Sequence, residues 1–152
     1  MQLTEHFTLE EFTRSATAER LHIPNTPNTL NIQNLRTLCS HVLEPLRQYV
    51  GEPVIISSGY RCNELNKAVG GVSGSQHTKG EAADIRIPDA ATGKEWFTWI
   101  MDNLEFDQLI WETKRVPNIP NNPNTPNSTH WIHVSYREDH NRQTLVRNLV
   151  KK

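Results

Sequence analysis

The distribution of apolar residues predicts an α+β fold, with helices packed on a small, mainly antiparallel sheet. Two observations carry that expectation. Ile32, Leu35, Leu38, Cys39, Val42, Leu43 and Leu46 recur at three- and four-residue steps, the stripe of an amphipathic helix. Four short runs rich in β-branched and aromatic residues, near 54–57, 83–87, 106–112 and 131–136, read as strands, with helical segments at 63–68 and 90–103 between them. The 152 residues fit one domain, 1–152, a length that buries roughly 68–70% of the unfolded surface.

Taken in order, Thr8 is set to cap a short helix running to about Ser15, with Glu11 three residues on to complete a capping box. Pro24 to Asn28 is a turn-rich connection into the long stripe. Pro45 has no N–H for the carbonyl of His41, so a kink or an early end is expected there. Pro53 to Ser57 reads as a buried strand, Ser58-Gly59-Tyr60 as the turn that ends it, and Asn63 to Ala68 as a helix. Gly70 to Ser75 is a tight loop. Ala90 to Asn103 presents Trp96, Phe97, Trp99 and Ile100 as a core-facing helix, with Asp89 as its cap. Phe106 to Trp111 is a strand ending in Glu112. Thr113 to Ser128 holds four prolines and five asparagines and is expected to form neither a ladder nor a helix, but either a loop at the rim of a site or a plain insertion. From Arg137 to Lys152 the pattern fits a last strand or a last helix.

The chemistry concentrates in Ser75-Gln76-His77-Thr78-Lys79-Gly80-Glu81-Ala82-Ala83-Asp84. An imidazole and a carboxylate stand seven positions apart, with a glycine between them that permits a sharp return. Zinc takes such donors at roughly 2.0–2.2 Å, usually about four of them, and hydrolytic sites leave one position open. A third ligand fits His133 in the run His130-Trp131-Ile132-His133-Val134-Ser135-Tyr136. Alternation along that strand puts His133 on the face of Trp131 and Ser135, while His130 points the other way unless the strand begins after it.

With these segments in view, the chain resembles a known family. Ser57-Ser58-Gly59-Tyr60-Arg61-Cys62-Asn63-Glu64-Leu65-Asn66, then Val69-Gly70-Gly71, then Ser75-Gln76-His77 through Asp84, then Trp131-Ile132-His133-Val134 are similar to the M15 peptidases, the zinc D-Ala-D-Ala carboxypeptidases and L-alanyl-D-glutamate endopeptidases. The likeness runs from about Phe7 to Tyr136. It implies their fold, shared with hedgehog domains, and His77, Asp84 and His133 as ligands of Zn2+. It further implies Arg61 as the grip on a substrate carboxylate or carbonyl, with Ser75 and Gln76 beside the substrate. Many members carry an acid three residues before the last ligand, as general base; here that residue is His130. A second resemblance, of Phe106 to Glu112 to the corresponding strand of hedgehog signalling domains, implies Glu112 as the base. His130 is then a helper in oxyanion stabilisation or proton transfer.

The implied reaction is hydrolysis of an amide in a peptidoglycan stem peptide, by carboxypeptidase or endopeptidase action. The alternative is a non-catalytic zinc module on the same scaffold, as hedgehog domains use it. Formal net charge is −1, which gives no footprint for nucleic acid or an anionic membrane. The expected partner is a small peptide, and the expected state a monomer. Cys39 and Cys62 are expected to be reduced thiols, and no C-x2-C pair offers a cysteine zinc site. His6, His22, His41 and His140 lie outside any ligand spacing. No basic region followed by an apolar run opens the chain, so the expected location is the cytoplasm until release, as for a phage or prophage lysis enzyme.

Overall fold

Three amino-terminal helical pieces lead into the sheet. The computed structural model describes residues 1–115, 128–139 and 142–150. α1 (Leu9–Thr13) begins as expected at Thr8, whose N–H and hydroxyl both reach the Glu11 carboxylate at 2.7 and 3.1 Å. It stops at Thr13 rather than Ser15, because Ser15 caps a second helix, α2 (Ala16–Arg20), accepting the Ala18 N–H at 3.1 Å.

α3 (Thr29–Leu38) is capped by Asn28 and buries Leu35 and Leu38. The expected break at Pro45 takes another form. The chain stays helical through α4 (Glu44–Val50), and Cys39–Leu43 opens into a π turn in which the Glu44 N–H bonds the Cys39 carbonyl. Widening the helix by one residue just before a proline accommodates a ring that would clash in a regular turn. Gly51, at φ +76°, closes α4.

Glu44 ties the amino terminus to this helix. Its carboxylate accepts from the His6 N–H at 2.6 Å and the Thr4 hydroxyl at 2.9 Å, and lies 2.8 Å from His6 Nδ1. Burial pushes its pKa up, but these partners prevail and hold it below the ordinary 4.5. A carboxyl depressed in the folded state stabilises the fold above its ordinary pKa and loses that contribution as pH falls through the folded value. Glu44→Gln is therefore expected to destabilise the protein by about 1–2 kcal/mol at pH values above that range. The gap to wild type should close below pH 4.5. Thermal melts at about pH 5 and about pH 3 check this, and a gap that stays constant refutes it.

Among the described residues five strands form one sheet in the order β1-β2-β4-β3-β5: β1 (Ile56–Ser58), β2 (Ala82–Arg86), β3 (Gln108–Arg115), β4 (Ser128–Ser135) and β5 (Gln143–Val150). All neighbours are antiparallel except β3 and β5, which are parallel. The α+β expectation holds, and the undecided tail is the fifth strand. β1 starts two residues later than expected: Ile55 is 44% exposed and only its carbonyl joins the sheet, accepting from the Arg86 N–H at 2.9 Å. The expectation that Thr113 to Ser128 stays out of the ladder fails at both ends, since Thr113 pairs with His130, Lys114 with Thr129 and Arg115 with Ser128. Residues 116–127, with most of that asparagine–proline run, lie outside the described residues, as does His140.

The register assigns the two faces. Ala83 opposite Val134, Ile85 opposite Ile132, Leu109 opposite Val134 and Trp111 opposite Ile132 form the core face, packed with Leu35, Leu38, Val42 and Leu46 of the helices. α6 (Ala90–Asn103), capped by Asp89 as expected, packs on β3 and β4 through Trp96 and Ile100. The same register puts Asp84 opposite His133, and Glu112 opposite Trp131, on the other face. One alternation thus builds both the core and the site.

Both cysteines are free thiols; Cys39 is fully buried, and burial pushes its pKa up. Among the described residues no helix is long and apolar enough to cross a membrane.

Candidate metal centre

His77 sits on a 3-10 turn, Gln76–Lys79, that Ser75 opens and Gly80 closes at φ +77°. Gly80 is required on two counts: its left-handed backbone, and a space in which a Cβ would collide with the Asn31 carbonyl. The Lys79 carbonyl is held by the side-chain amides of Asn31 and Asn34 at 3.3 and 2.9 Å. The turn is fixed to α3, and with it the imidazole.

The opposite wall is α5 (Asn63–Ala68) with the turn before it, Gly59 to Cys62. Tyr60 N–H bonds the Phe12 carbonyl at 2.7 Å and Arg61 N–H the His77 carbonyl at 3.1 Å. Gly59 lies so close to α1 that a Cβ would meet the Phe12 backbone at 2.7 Å. His77 Nδ1 is 2.7 Å from the Gly59 carbonyl. A carbonyl only accepts, so Nδ1 carries a proton and Nε2 is the ring nitrogen left to face a metal.

Nε2 faces Asp84. His77 Nε2 lies 3.3 Å from Asp84 Oδ1, and His133 Nδ1 lies 3.0 Å from the same oxygen. The three donor atoms fall within 4.8 Å of one another, and the residues are 3%, 9% and 8% exposed. A tetrahedron with arms of roughly 2.0–2.2 Å has edges of roughly 3.3–3.6 Å, so the cluster fits a zinc-sized cation with little adjustment. Burial alone would raise the Asp84 pKa, but the His77 and His133 rings prevail and hold it well below the carboxylate range. An ionised carboxylate between two imidazoles is the donor set such a cation needs.

Two further groups flank the cluster. The Glu112 carboxylate, 7% exposed, has Oε1 3.9 Å from His133 Nδ1. Arg61 Nη2 is 3.7 Å from Asp84 Oδ2, and its Nε donates to the Ser58 hydroxyl at 3.1 Å. Burial lowers the Arg61 pKa, against the pull of Asp84 and Glu112. All of these line one cleft of about 620 Å³, together with Ser75, Trp131, Arg14 and Lys114.

Two expected site residues stand elsewhere. His130 lies within β4, which begins at Ser128, so alternation turns it to the face opposite His133; its Nδ1 is 2.8 Å from the Thr113 hydroxyl and its ring stacks on Trp111 at 5.6 Å. Gln76 points away from the cleft, donating to Asp107 Oδ2 at 2.9 Å. Ser75 does line the cleft, while its hydroxyl accepts the His77 N–H at 3.3 Å. The sequence reading missed the Gly59 carbonyl that fixes the His77 tautomer, a backbone group with no residue-type signature. It also missed Asn25, whose side chain takes the Cys62 N–H at 2.8 Å and donates to the Tyr60 carbonyl at 2.9 Å, bracketing Arg61.

A buried two-histidine, one-carboxylate cluster at the floor of a cleft that also holds a second carboxylate and a guanidinium has the makings of a hydrolytic metal centre. The comparison with known families agrees with that class. The family model described as peptidase M15 matches residues 5–116, and the chain belongs to the M15 peptidases. No curated protein matches it. The matched span contains His77, Asp84, Arg61 and Glu112 and ends before β4, so His133 joins the set through the sheet register alone.

Proposed function

We propose that this chain is a zinc-dependent peptidase that hydrolyses an amide in peptidoglycan stem peptide, at D-Ala-D-Ala or at L-Ala-D-Glu. The observation that carries the reading is the placement of His77, Asp84, His133 and Glu112 in one cleft in a chain of the M15 family. His77 through Nε2, Asp84 through Oδ1 and His133 through Nδ1 would hold the metal. Bound zinc supplies Lewis acidity, acidifying water and polarising the scissile carbonyl.

The remaining steps belong to the protein. Glu112 takes a proton from the attacking water and returns it to the departing amine. Arg61 donates to a substrate carboxylate or carbonyl and steadies charge that develops there. His77 is kept in its productive tautomer by the Gly59 carbonyl. Arg14, Arg61 and Lys114 give the cleft three cations against the carboxylates of Asp84 and Glu112, in a protein of net charge −1. That local excess suits a peptide that carries carboxylates.

The test is digestion of purified peptidoglycan by the zinc-loaded protein, with and without chelator, followed by mass analysis. Chelator-sensitive release of fragments is expected, and their masses identify the bond. A protein that retains zinc yet releases nothing from several wall types would instead be a binding module.

A further inference from the structure

Arg61 is held at its inner edge by a residue with no assigned part in the chemistry. Asn66, 5% exposed on α5, accepts from Arg61 Nη1 through Oδ1 at 2.9 Å and donates from Nδ2 to the Val72 carbonyl at 2.9 Å. Its own carbonyl accepts the Gly71 N–H at 2.8 Å. The amide can sit only one way round, because a guanidinium offers only donors and a carbonyl only an acceptor. A buried amide that meets both demands is a directional link between the guanidinium and the 69–74 loop.

Gly71 is shaped to the same link. Its backbone is not left-handed, unlike Gly70 and Gly74, so conformation does not demand glycine there. Space does: a Cβ would overlap Asn66 Oδ1 and come within 2.7 Å of Arg61 Nη1. The loop closes directly over the amide–guanidinium pair. With Nε on Ser58 and Nη1 on Asn66, Nη2 is the end of the fork left beside Asp84 and the cleft.

We propose that Asn66 is the positioning residue of the substrate clamp: it locks the Arg61 fork to the 69–74 loop, so that Nη2 meets the substrate in one fixed orientation. The inference rests on the reading of Arg61 as that clamp. Displacing a positioned group by about 1 Å can cost about a hundredfold in rate.

The experiment is a double-mutant cycle on the zinc-loaded full chain, with a synthetic stem pentapeptide carrying both candidate bonds. Asn66→Ala is expected to lower kcat/KM by about 10- to 100-fold with zinc content unchanged. Arg61→Ala should lower it at least as far. The double variant should be no slower than Arg61→Ala alone, because Asn66 then has nothing to position. Asn66→Asp keeps the volume and the acceptor for Arg61 but loses the donor to Val72, and should fall between wild type and Asn66→Ala. The isosteric variant supplies the same cycle should Asn66→Ala fold poorly. Losses that multiply in the double variant, or wild-type turnover in Asn66→Ala, overturn the inference while leaving the Arg61 reading intact. A silent Arg61→Ala overturns both.

Discussion

Asp84→Ala is expected to strip the protein of zinc and of hydrolysis together. Asp84 Oδ1 is the shared neighbour of both histidines, at 3.3 and 3.0 Å, so its loss leaves two imidazoles with no anion between them. Changes to groups that only support ligands already weaken metal binding by about 10- to 100-fold, and loss of a ligand should exceed that. The metal contributes several kcal/mol of transition-state stabilisation, so turnover should fall by at least about a thousandfold. The metal-free protein should lose stability as well, by about 3–5 kcal/mol, because the buried Arg61 guanidinium loses the carboxylate beside it. Metal analysis after dialysis, peptide hydrolysis and a thermal melt in chelator check the three parts. Unchanged zinc content would show that the metal is held elsewhere.

The placement of Asp84 and His133 on strands was legible in the sequence because β patterning is local. A β-like run that starts at a carboxylate, and another with histidine at every third residue, declare which residues share a face once the strands are known. What could not be read locally was where the strands end. β4 begins at Ser128 because Arg115 pairs with it, and that extension carries His130 into the strand and onto the Thr113 side. No pattern within 113–128 announces the pairing, since its asparagines and prolines oppose it. The parallel contact of β5 with β3 is equally non-local. Gln76 was misplaced for a different reason: in a 3-10 turn successive side chains diverge, and Asp107 thirty-one residues on takes its amide. The π turn at Cys39–Leu43 resolves a conflict that the sequence did state, an apolar stripe running straight through Pro45. Helix packing prevailed over the break.

Glu112→Gln should separate chemistry from metal binding. The side chain stands on β3 opposite Trp131, across from the ligand strand, with its carboxylate 3.9 Å from His133 Nδ1. It shares the cleft with the cluster but is not one of its three donors. Glutamine preserves the shape and removes the proposed base, so zinc content and KM should hold while kcat falls by about 10²- to 10⁴-fold, the range for losing a general base. With His130 turned to the far face, no histidine outside the cluster offers a substitute among the described residues that line the cleft. Turnover at the wild-type rate would therefore overturn the role of Glu112, and retained zinc with lost turnover would place the proton transfer on it.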